Sequence, residues 1–562
     1  MDRAQERPSG QQAAAAAGPQ DGRTGRLPAP EAELELLVHG VGGTTPEEML
    51  GDPRTVRVTG DETAAVYRRA EDLATPESPR EEPVREAYVW CNLTSGDSSR
   101  ALWLVLLPFM VVNLAHWMRP AAAGRHRTVR LYGLLVRLAA LTLTVLLVAA
   151  VCEVALDLVA WQCAGVQPCV RRHSWLSFLA PQASAAPGGQ GGWWSLPGRR
   201  LALAALVPAA LTGLLWYLSH RTWSAYESHR PMSHDPEPDP GGSALALPGF
   251  WYGRRLVARL RAAHTAAALL TVAAALATPA ARFDHRAGGP GALDTVSRLL
   301  TAALLVWAAA VTGVVCRRGR SESRLDQRGL QTVAETSQAL GSWLVGLGFV
   351  LFVTWGRRAY KDASARRTIG ILWDVGTFWP RAAHPFAPPC YAERAVPDLT
   401  WRMATWTHRT GGRLVLSGHS QGSVLAAAAA WQLPPSVRAR IALLTYGSPL
   451  ERLYGRWFPA HFGPPALAAL HRDVACWGNL YRRSDPIGGP VRVPDDANPE
   501  VDHGPLQDPL AYGRTPEHPL PAPILGHSDY QADPAFARVR AHLLSRLRPE
   551  LPGPRPGPRA PR

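Results

Sequence analysis

Ser420 lies in the segment Gly418–Gly422, whose order Gly-His-Ser-Gln-Gly follows the pattern G-x-S-x-G. An apolar run precedes this segment and an alanine-rich run follows it, which predicts a strand, a sharp turn and a helix. Gly418 and Gly422 leave room for a strained serine whose hydroxyl stands above the sheet, where following N–H groups can face a developing oxyanion. Ser420 is therefore the candidate nucleophile. The alternative is a chance match in a glycine-rich chain.

A nucleophilic serine needs a base to take its proton and an acid to orient that base. His527 follows a short apolar piece and precedes an amphipathic helix, so it is the preferred base. Asp485 stands at the carboxyl end of a predicted strand, where ligand sites of open α/β sheets collect. His419, beside the serine, is expected to pack or to tune the turn. The less well placed competitors are Asp473, Asp495, Asp496, Asp502, His503 and His518.

These side chains need a sheet to bring them together. Short β-rich runs predict strands at residues 33–38, 54–59, 86–91, 367–373, 413–417, 438–446 and 474–481, with helices at 398–408 and 535–547. The aromatic stretch from Asp374 to Pro380 could roof an acyl pocket or form a plain surface loop.

Four segments together resemble the α/β-hydrolase lipases, particularly the class 3 lipase-like group. They are Gly418–Gly422, Tyr446–Pro449, Ser484–Pro486 and Gly526–Ser528. The resemblance implies Ser420 as nucleophile, Asp485 as acid and His527 as base, and it covers roughly residues 33–60 and 367–548. The long apolar region between these two parts resembles no family that we can name.

The segment His39–Thr44 has the H-G-x-G shape that follows an early strand in α/β-hydrolases. By this resemblance, the N–H groups near Val41 or Gly42 and of Gln421 would form the oxyanion hole. A glycine-rich turn before a helix is the structural alternative, since Pro46 and two glutamates suit a first helical turn.

Six long apolar blocks lie between the two parts, at about residues 101–118, 131–156, 201–219, 262–281, 295–316 and 337–355. Their length, their flanking tryptophans and their basic linkers predict membrane-spanning helices. Buried helices of a large soluble core are the alternative. Glu153 and Asp157, near the end of the second block, could line a polar path or cap a helix end at the membrane interface.

The two hydrolase-like parts can share one site only on the same side of the membrane, so the number of crossings must be even. Six crossings satisfy this condition, as do four if the first and last blocks dip without crossing. With six, the basic linkers at 119–130, 220–261 and 317–328 would place the hydrolase outside. The absence of an export signal and the arginines after the last block instead favour the cytoplasm. These indications conflict, so the side of the membrane that the hydrolase occupies stays open, with the cytoplasm slightly favoured.

Net charge and cysteine spacing exclude some functions. The charge is +15, and Lys361 is the only lysine among 60 basic residues. The arginines gather beside the apolar blocks, so we expect a membrane partner and no nucleic acid. No C-x-x-C or Cys/His spacing indicates a metal or redox cofactor. Cys163 and Cys169 could pair or stay free.

The sequence thus predicts an α/β-hydrolase domain with a doubly wound, mostly parallel sheet, interrupted by an all-α transmembrane domain. The expected parts are a disordered tail (1–30), the first part of the hydrolase (31–100), the membrane domain (101–356), the main hydrolase part (357–548) and a disordered tail (549–562). We expect a serine hydrolase that acts on acyl esters. Its location at a membrane predicts that these esters are lipids. Thioesterase, acyltransferase or peptidase activity uses the same residues, and a transporter or scaffold with an inactive hydrolase-like domain is the rival class.

Overall fold

The computed structural model of the protein describes residues 32–74, 82–94, 106–121, 124–180, 193–226, 244–247, 249–251, 254–286, 371–474, 476–493, 501–508 and 524–547. Both predicted tails, the apolar blocks at 295–316 and 337–355, and Asp495, Asp496 and His518 lie outside these residues. The described chain forms one eight-stranded sheet with helices packed around it, together with a set of long apolar helices.

The sheet is mixed, with strand order β2-β3-β4-β1-β5-β6-β7-β8. Neighbours from β4 to β8 in this order pair in parallel, whereas β3 is antiparallel to β2 and to β4. The strands are β1 Glu33–Val38, β2 Thr55–Gly60, β3 Ala65–Arg69, β4 Val84–Val89, β5 Arg413–His419, β6 Ile441–Tyr446, β7 Cys476–Arg482 and β8 Asp502–Leu506.

The helices are short in the first part of the chain and long in its middle. They are α1 Pro46–Leu50, α2 Ala70–Ala74, α3 Leu107–Trp117, α4 His126–Cys152, α5 Gln167–Arg172, α6 Pro197–Tyr226, α7 Arg254–Arg286, α8 Ala392–Thr410, α9 Gln421–Gln432, α10 Pro435–Arg438, α11 Pro459–Phe462, α12 Pro464–Asp473 and α13 Pro534–Arg546. Residues 371–376 form a further short helix, and a π-helix, Glu153–Cys163, continues α4.

The centre of the sheet joins the two distant parts of the chain. Strand β1 pairs with β5 in parallel, so that Leu34 lies opposite Leu414 and Val38 lies opposite Gly418. This pairing places the strand that leads into the His39–Thr44 segment beside the strand that leads to Ser420. Because parallel strands end at the same edge, the loop after Val38 and the turn at Ser420 meet there.

A buried ion pair ties the same two parts together on one face of the sheet. Glu35 of β1 is fully buried. Its carboxylate accepts hydrogen bonds from Arg540 Nη1 of α13 at 2.8 Å and from Ser417 Oγ of β5 at 2.8 Å. A buried carboxylate needs such partners, because an unpaired charge in the interior is strongly unfavourable. The last helix is thus fixed to the first strand.

One expectation about the sheet is wrong, and two strands were not predicted. Residues 371–376 are helical where part of a strand was expected, because a short apolar run has no periodicity that separates the two conformations. Of the two alternatives for the stretch that follows, the surface loop is excluded, because residues 377–380 are buried. Strands β3 and β8 were not expected, because their sequences carry several polar residues.

Three helices are long and apolar enough to cross a membrane: His126–Cys163, Pro197–Arg221 and Arg255–Arg282. They match three of the predicted apolar blocks. Large apolar side chains such as Leu146 and Leu206 are exposed on them, each at about 60%, as is usual for residues that face lipid. Of the first block, the described residues form the 11-residue helix α3, and residues 101–105 lie outside them.

The loop at residues 377–391, here called the inter-helix loop, lies between the sheet domain and these helices. Asn113 of α3 accepts hydrogen bonds from the N–H groups of Ala382 and Ala383 at 2.9 and 3.2 Å. Arg137 Nε of α4 donates to Ala382 O at 2.9 Å, and Ser219 Oγ of α6 donates to Pro385 O at 2.8 Å. Side chains of three helices therefore satisfy the backbone of one irregular loop.

A disulfide joins Cys163 and Cys169 just beyond the π-helix. Of the two possibilities that the sequence left open, the structure therefore contains the paired form. Asp157 accepts a hydrogen bond from Gln162 Nε2 at 2.8 Å. Asp157 also lines a cavity of about 280 Å³ together with Arg282, so the structure favours neither helix capping nor a polar path.

Candidate active site

Ser420 stands on a strained turn between β5 and α9. Its φ of 51° is one of three positive values among non-glycine residues in the described chain, and its side chain is almost fully buried. Such a backbone conformation costs free energy that surrounding contacts must offset, and it is found mainly at functional sites. The elbow expected from the G-x-S-x-G pattern is present as a strand, a strained turn and a helix.

Gly422 explains one glycine of that pattern. A Cβ atom on this residue would lie 2.2 Å from the backbone oxygen of Val38, at the end of β1. No side chain fits in that space, so α9 can approach β1 only through a glycine. The other glycine, Gly418, pairs with Val38 and is the last residue of β5 that pairs with β1.

His527 and Asp485 are in direct contact. His527 Nδ1 lies 3.0 Å from Asp485 Oδ1 and 2.9 Å from Oδ2. With its proton on Nδ1, the imidazole donates to the carboxylate and presents the lone pair of Nε2. That Nε2 atom is buried and has no hydrogen-bond partner among the described residues. The histidine is thus oriented as a general base requires.

Asp485 accepts hydrogen bonds from three groups besides His527. Ile487 N and Gly488 N each donate to Oδ1 at 2.8 Å, and Tyr530 Oη donates to Oδ2 at 2.8 Å. Burial alone would raise the pKa of this carboxyl, but the hydrogen bonds from His527 and the two backbone N–H groups lower the pKa to about 2. Asp485 is therefore ionised over the whole physiological range.

Gly447, in the Tyr446–Pro449 segment, makes room for the base. Its φ is 55°, and a Cβ atom there would lie 3.1 Å from His527 Cε1. The imidazole of His527 therefore packs directly on a bare backbone. His419 Nε2 lies 3.0 Å from the backbone oxygen of His527. Burial, together with the neighbouring His527, lowers the pKa of His419 to about 4, so His419 is neutral and can donate this hydrogen bond.

Ser420 and His527 line the same cavity of about 490 Å³. The walls come from the loop after β1, including Val41 and Thr44, and from the segment that follows His527, including Tyr530. No hydrogen bond joins Ser420 Oγ to His527 Nε2 in this part of the described chain. Ser420, the candidate nucleophile, and the oriented imidazole of His527 therefore line one cavity from two separate segments of the chain. Acyl transfer needs such an arrangement.

The oxyanion loop differs from the expectation at Gly42. Its N–H donates to Asp374 Oδ2 at 2.7 Å, so this group is engaged within the protein and does not point to an acyl oxygen. The N–H groups of Val41 and Gln421 make no such bond within the described residues. Of the three expected donors, Val41 and Gln421 thus remain candidates, and Gly42 does not.

His39 fixes the start of the same loop. Trp90 N donates to His39 Nε2 at 3.1 Å, and His39 Nδ1 donates to Gly40 O at 2.7 Å. Burial lowers the pKa of His39 to about 4, so the ring is neutral. It stacks on Trp90, which in turn stacks on Tyr391, with ring centroids 4.7 and 4.6 Å apart.

The competing residues have structural roles or lie elsewhere. Asp502 accepts hydrogen bonds from Asn479 Nδ2 at 2.7 Å and from Val491 N at 2.9 Å, so it fixes the loop beside β8. Asp473 pairs with Arg438 at 2.9 Å, at the opposite end of β7. His503 lies within β8 and does not line the cavity.

One group in the described chain has the geometry to hold a metal ion: Cys163, Cys169 and His173. The sequence analysis did not recognise this cluster. The two sulfur atoms are joined in a disulfide, and a metal ligand must be a free thiolate. In this form the cluster cannot bind a metal through its cysteines.

Asp374 and Tyr530 are the functional candidates that sequence reasoning missed. Asp374 comes from a segment expected to be a strand end, and nothing local indicates that it reaches Gly42. Tyr530 lies in the segment of His527, but a tyrosine near a histidine is no signal by itself. Burial raises the pKa of Asp374 to about 6, although the Gly42 N–H opposes this shift.

Comparison with models of known families, with curated proteins and with solved structures finds no match.

Proposed function

We propose that the protein is a membrane-embedded serine hydrolase with the α/β-hydrolase fold, which cleaves acyl esters through an acyl-enzyme. One observation carries the proposal. Ser420, at φ 51° on the turn after β5, shares a cavity with His527, whose Nδ1 lies 2.9 Å from Asp485. The parallel sheet and its carboxyl-edge site support the fold assignment.

In the acylation step, Ser420 Oγ attacks the carbonyl carbon of the ester while His527 Nε2 takes its proton. Asp485 stabilises the imidazolium that forms. Catalytic hydrogen bonds are often long in a free enzyme and shorten when substrate binds, which fits a buried Nε2 that has no partner among the described residues. The N–H groups of Val41 and Gln421 would receive the negative charge on the carbonyl oxygen.

When the tetrahedral intermediate collapses, the bond between the acyl carbon and the alcohol oxygen breaks. The alcohol leaves with the proton from His527 Nε2, and the acyl group stays on Ser420 Oγ. A water molecule then repeats the sequence: Nε2 takes a water proton, the hydroxyl adds to the acyl carbon, and the proton returns to Oγ as the acid leaves. No cofactor takes part in this chemistry.

A lipid or another acyl ester with long chains is the proposed substrate. Three apolar helices adjoin the sheet domain, and side chains of α3, α4 and α6 bind the inter-helix loop directly. A site fixed at a bilayer meets acyl chains at high local concentration.

We further propose that the sheet domain faces the cytoplasm. The basic linkers at 119–130 and 220–261 lie on the same side as the sheet domain, since Arg137 and Ser219 near them contact the inter-helix loop. The positive-inside rule calls that side cytoplasmic.

The disulfide supports the same sidedness. Cys163 lies 19 residues beyond Thr144, whose hydroxyl is 3.0 Å from His384 Nε2 of the inter-helix loop. The disulfide therefore lies at the far end of the apolar helix His126–Cys163, away from the contact with the inter-helix loop. Disulfides persist in oxidising compartments, whereas Cys390 and Cys476 of the sheet domain form no disulfide among the described residues.

Two exposed tryptophans give a matched test of sidedness. Trp175 lies beyond the disulfide and Trp457 in the sheet domain, with 64% and 51% of their surfaces exposed. We expect a membrane-impermeant maleimide to label Trp175→Cys in intact cells, and Trp457→Cys only after permeabilisation, against the wild-type background. The reverse pattern would place the sheet domain outside.

The catalytic proposal is tested with a fluorophosphonate probe on the full-length protein in detergent or lipid nanodiscs. We expect labelling in the wild type and none in Ser420→Ala. Asp485→Asn and His527→Ala should label at least a hundredfold more slowly while their unfolding midpoints stay near the wild-type value. Persistent labelling of Ser420→Ala would remove this serine from the mechanism and favour the rival class, a transporter or scaffold with an inactive domain.

A further inference from the structure

A buried carboxylate outside the proposed triad contacts the oxyanion loop. Asp374 is fully buried, and its Oδ2 atom accepts the Gly42 N–H hydrogen bond at 2.7 Å. The other oxygen, Oδ1, is also buried and makes no hydrogen bond within 3.5 Å among the described residues, although the Thr94 side chain lies close enough to lower the pKa of this carboxyl. A carboxylate is an unfavourable residue to bury, so a purely structural contact would be served better by an amide or a hydroxyl.

The contact decides which backbone donors face the cavity. Gly42 has a φ of 77°, which turns the chain sharply after Val41. Because Asp374 holds the Gly42 N–H on the protein side of this turn, Val41 is left on the cavity side, where it lines the wall beside Ser420. Val41 and Gln421, the two proposed donors, belong to different segments: Val41 follows β1, and Gln421 begins α9 directly after Ser420.

The position of Asp374 is itself set by the membrane helices. Asp374 lies in the short helix at 371–376, which leads directly into the inter-helix loop. A Cβ atom on Gly376 would lie 2.2 Å from the sulfur of Met110 in α3, so α3 packs directly on this helix. Downstream, Asn113, Arg137 and Ser219 hold the loop backbone. A chain of direct contacts therefore runs from the helices α3, α4 and α6 to Gly42.

We propose that Asp374 is a positioning residue for the oxyanion hole, and that the membrane helices hold it in place. By binding the Gly42 N–H, it fixes the turn at which the Val41 N–H faces the acyl oxygen. This inference rests on the proposed hydrolase function. Its action is on the transition state, because the charge on the acyl oxygen develops only there.

The test uses the full-length protein in nanodiscs with p-nitrophenyl butyrate as the probe substrate and a trifluoromethyl ketone as the transition-state mimic. In Asp374→Ala we expect kcat to fall by about 30-fold and the ketone to bind correspondingly more weakly, with KM within threefold of the wild type. Asp374→Asn keeps an oxygen that accepts the Gly42 N–H, so its kcat should stay within fivefold.

Asp52→Ala is the matched control, because Asp52 Oδ1 also accepts a backbone hydrogen bond, from Arg54 N at 2.7 Å, but does not line the cavity. Its kcat should equal that of the wild type. If Asp374→Ala does not fold, as judged by its unfolding midpoint, Asp374→Glu replaces it. The extra methylene displaces the carboxylate, and we expect about a tenfold lower kcat with unchanged KM.

A folded Asp374→Ala or Asp374→Glu protein with wild-type kcat would overturn the inference. An increase in kcat would overturn it as well, and would mean that Asp374 blocks the loop. An equal loss of kcat in Asp374→Asn and Asp374→Ala would exclude the Gly42 N–H hydrogen bond as the cause. Ser420→Ala separates failure of this inference from failure of the proposed function. Residual hydrolysis by that variant contradicts the proposed function itself, whatever the effect of the Asp374 variants.

Discussion

The backbone of Gly422 lies directly against the carbonyl oxygen of Val38, so close that a Cβ atom would come within 2.2 Å of it. Gly422 belongs to the helix behind Ser420, and Val38 ends the strand that leads into the oxyanion loop. One contact therefore sets the distance between the proposed nucleophile and the proposed oxyanion donors.

The first prediction concerns this contact. In Gly422→Ala the methyl group must push α9 away from β1, which should lower the free energy of unfolding by roughly 1–3 kcal/mol. We expect fluorophosphonate labelling at least tenfold slower, measured beside the unfolding midpoint. Gly213→Ala is the control, because no atom lies within 4 Å of its Cβ position. Normal labelling of Gly422→Ala would show that the elbow tolerates the shift.

The second prediction is a pH dependence of stability with opposite signs at two aspartates. The pKa of Asp374 is raised to about 6 in the folded protein, so its contribution is full below about pH 4 and is lost as pH rises through 6. The pKa of Asp485 is lowered to about 2, so its contribution is full above about pH 4 and is lost as pH falls toward 2. Each is on the order of 2–3 kcal/mol.

Thermal unfolding between pH 2 and pH 7, followed by tryptophan fluorescence, checks both signs. Asp374→Asn should remove the decline in stability between pH 4 and pH 7, and Asp485→Asn should remove the decline below pH 4. If Asp374→Asn keeps the wild-type slope above pH 4, another group causes it.

The third prediction concerns Tyr530, which donates to Asp485 Oδ2 at 2.8 Å. Tyr530→Phe removes one donor from a buried carboxylate, so we expect kcat to fall about tenfold and the unfolding free energy to fall by about 1 kcal/mol. Tyr481→Phe, on the neighbouring strand β7, is the control. Unchanged kcat in Tyr530→Phe would mean that the remaining donors hold the acid in place.

The fourth prediction concerns Asn113 of α3, whose Oδ1 atom accepts from both Ala382 N and Ala383 N. Asn113→Leu has a similar size but leaves these buried N–H groups unpaired. We expect kcat to fall about fivefold or more with little change in KM, although Asn113 does not line the cavity. Thr142→Ala is the control, because Thr142 bonds only to Leu138 O of its own helix. Equal kcat in the two variants would show that the contact of α3 with the inter-helix loop does not affect the site.

The local features of the site could be predicted from the sequence. The apolar run before Ser420 and the alanines after it predicted a strand and a helix, and the apolar residues of Glu33–Val38 predicted the strand that pairs with β5. Glycines at 418, 422 and 447 marked positions where the backbone must come close to another segment. Asp485, after a predicted strand, and His527, between a short apolar piece and a predicted helix, were the preferred acid and base, and the structure brings the two side chains together.

Contacts between distant segments could not be predicted. Nothing near Asp374 indicates that its carboxylate reaches Gly42, because the contact depends on how a loop is held by three helices. The run Ile369–Trp373 is too short for its periodicity to separate a helix from a strand. Whether Cys163 and Cys169 pair depends on the compartment as well as on their spacing.

The pairing of β1 with β5 has a consequence for biosynthesis. Strand β1 is complete at Val38, but β5 does not begin until Arg413. At about 5–20 residues per second, the ribosome needs on the order of half a minute to make the chain between them. During that interval β1 lacks its central neighbour. On the proposed membrane topology, the intervening apolar segments enter the bilayer before β5 is made, so membrane insertion would precede closure of the sheet and assembly of the proposed site.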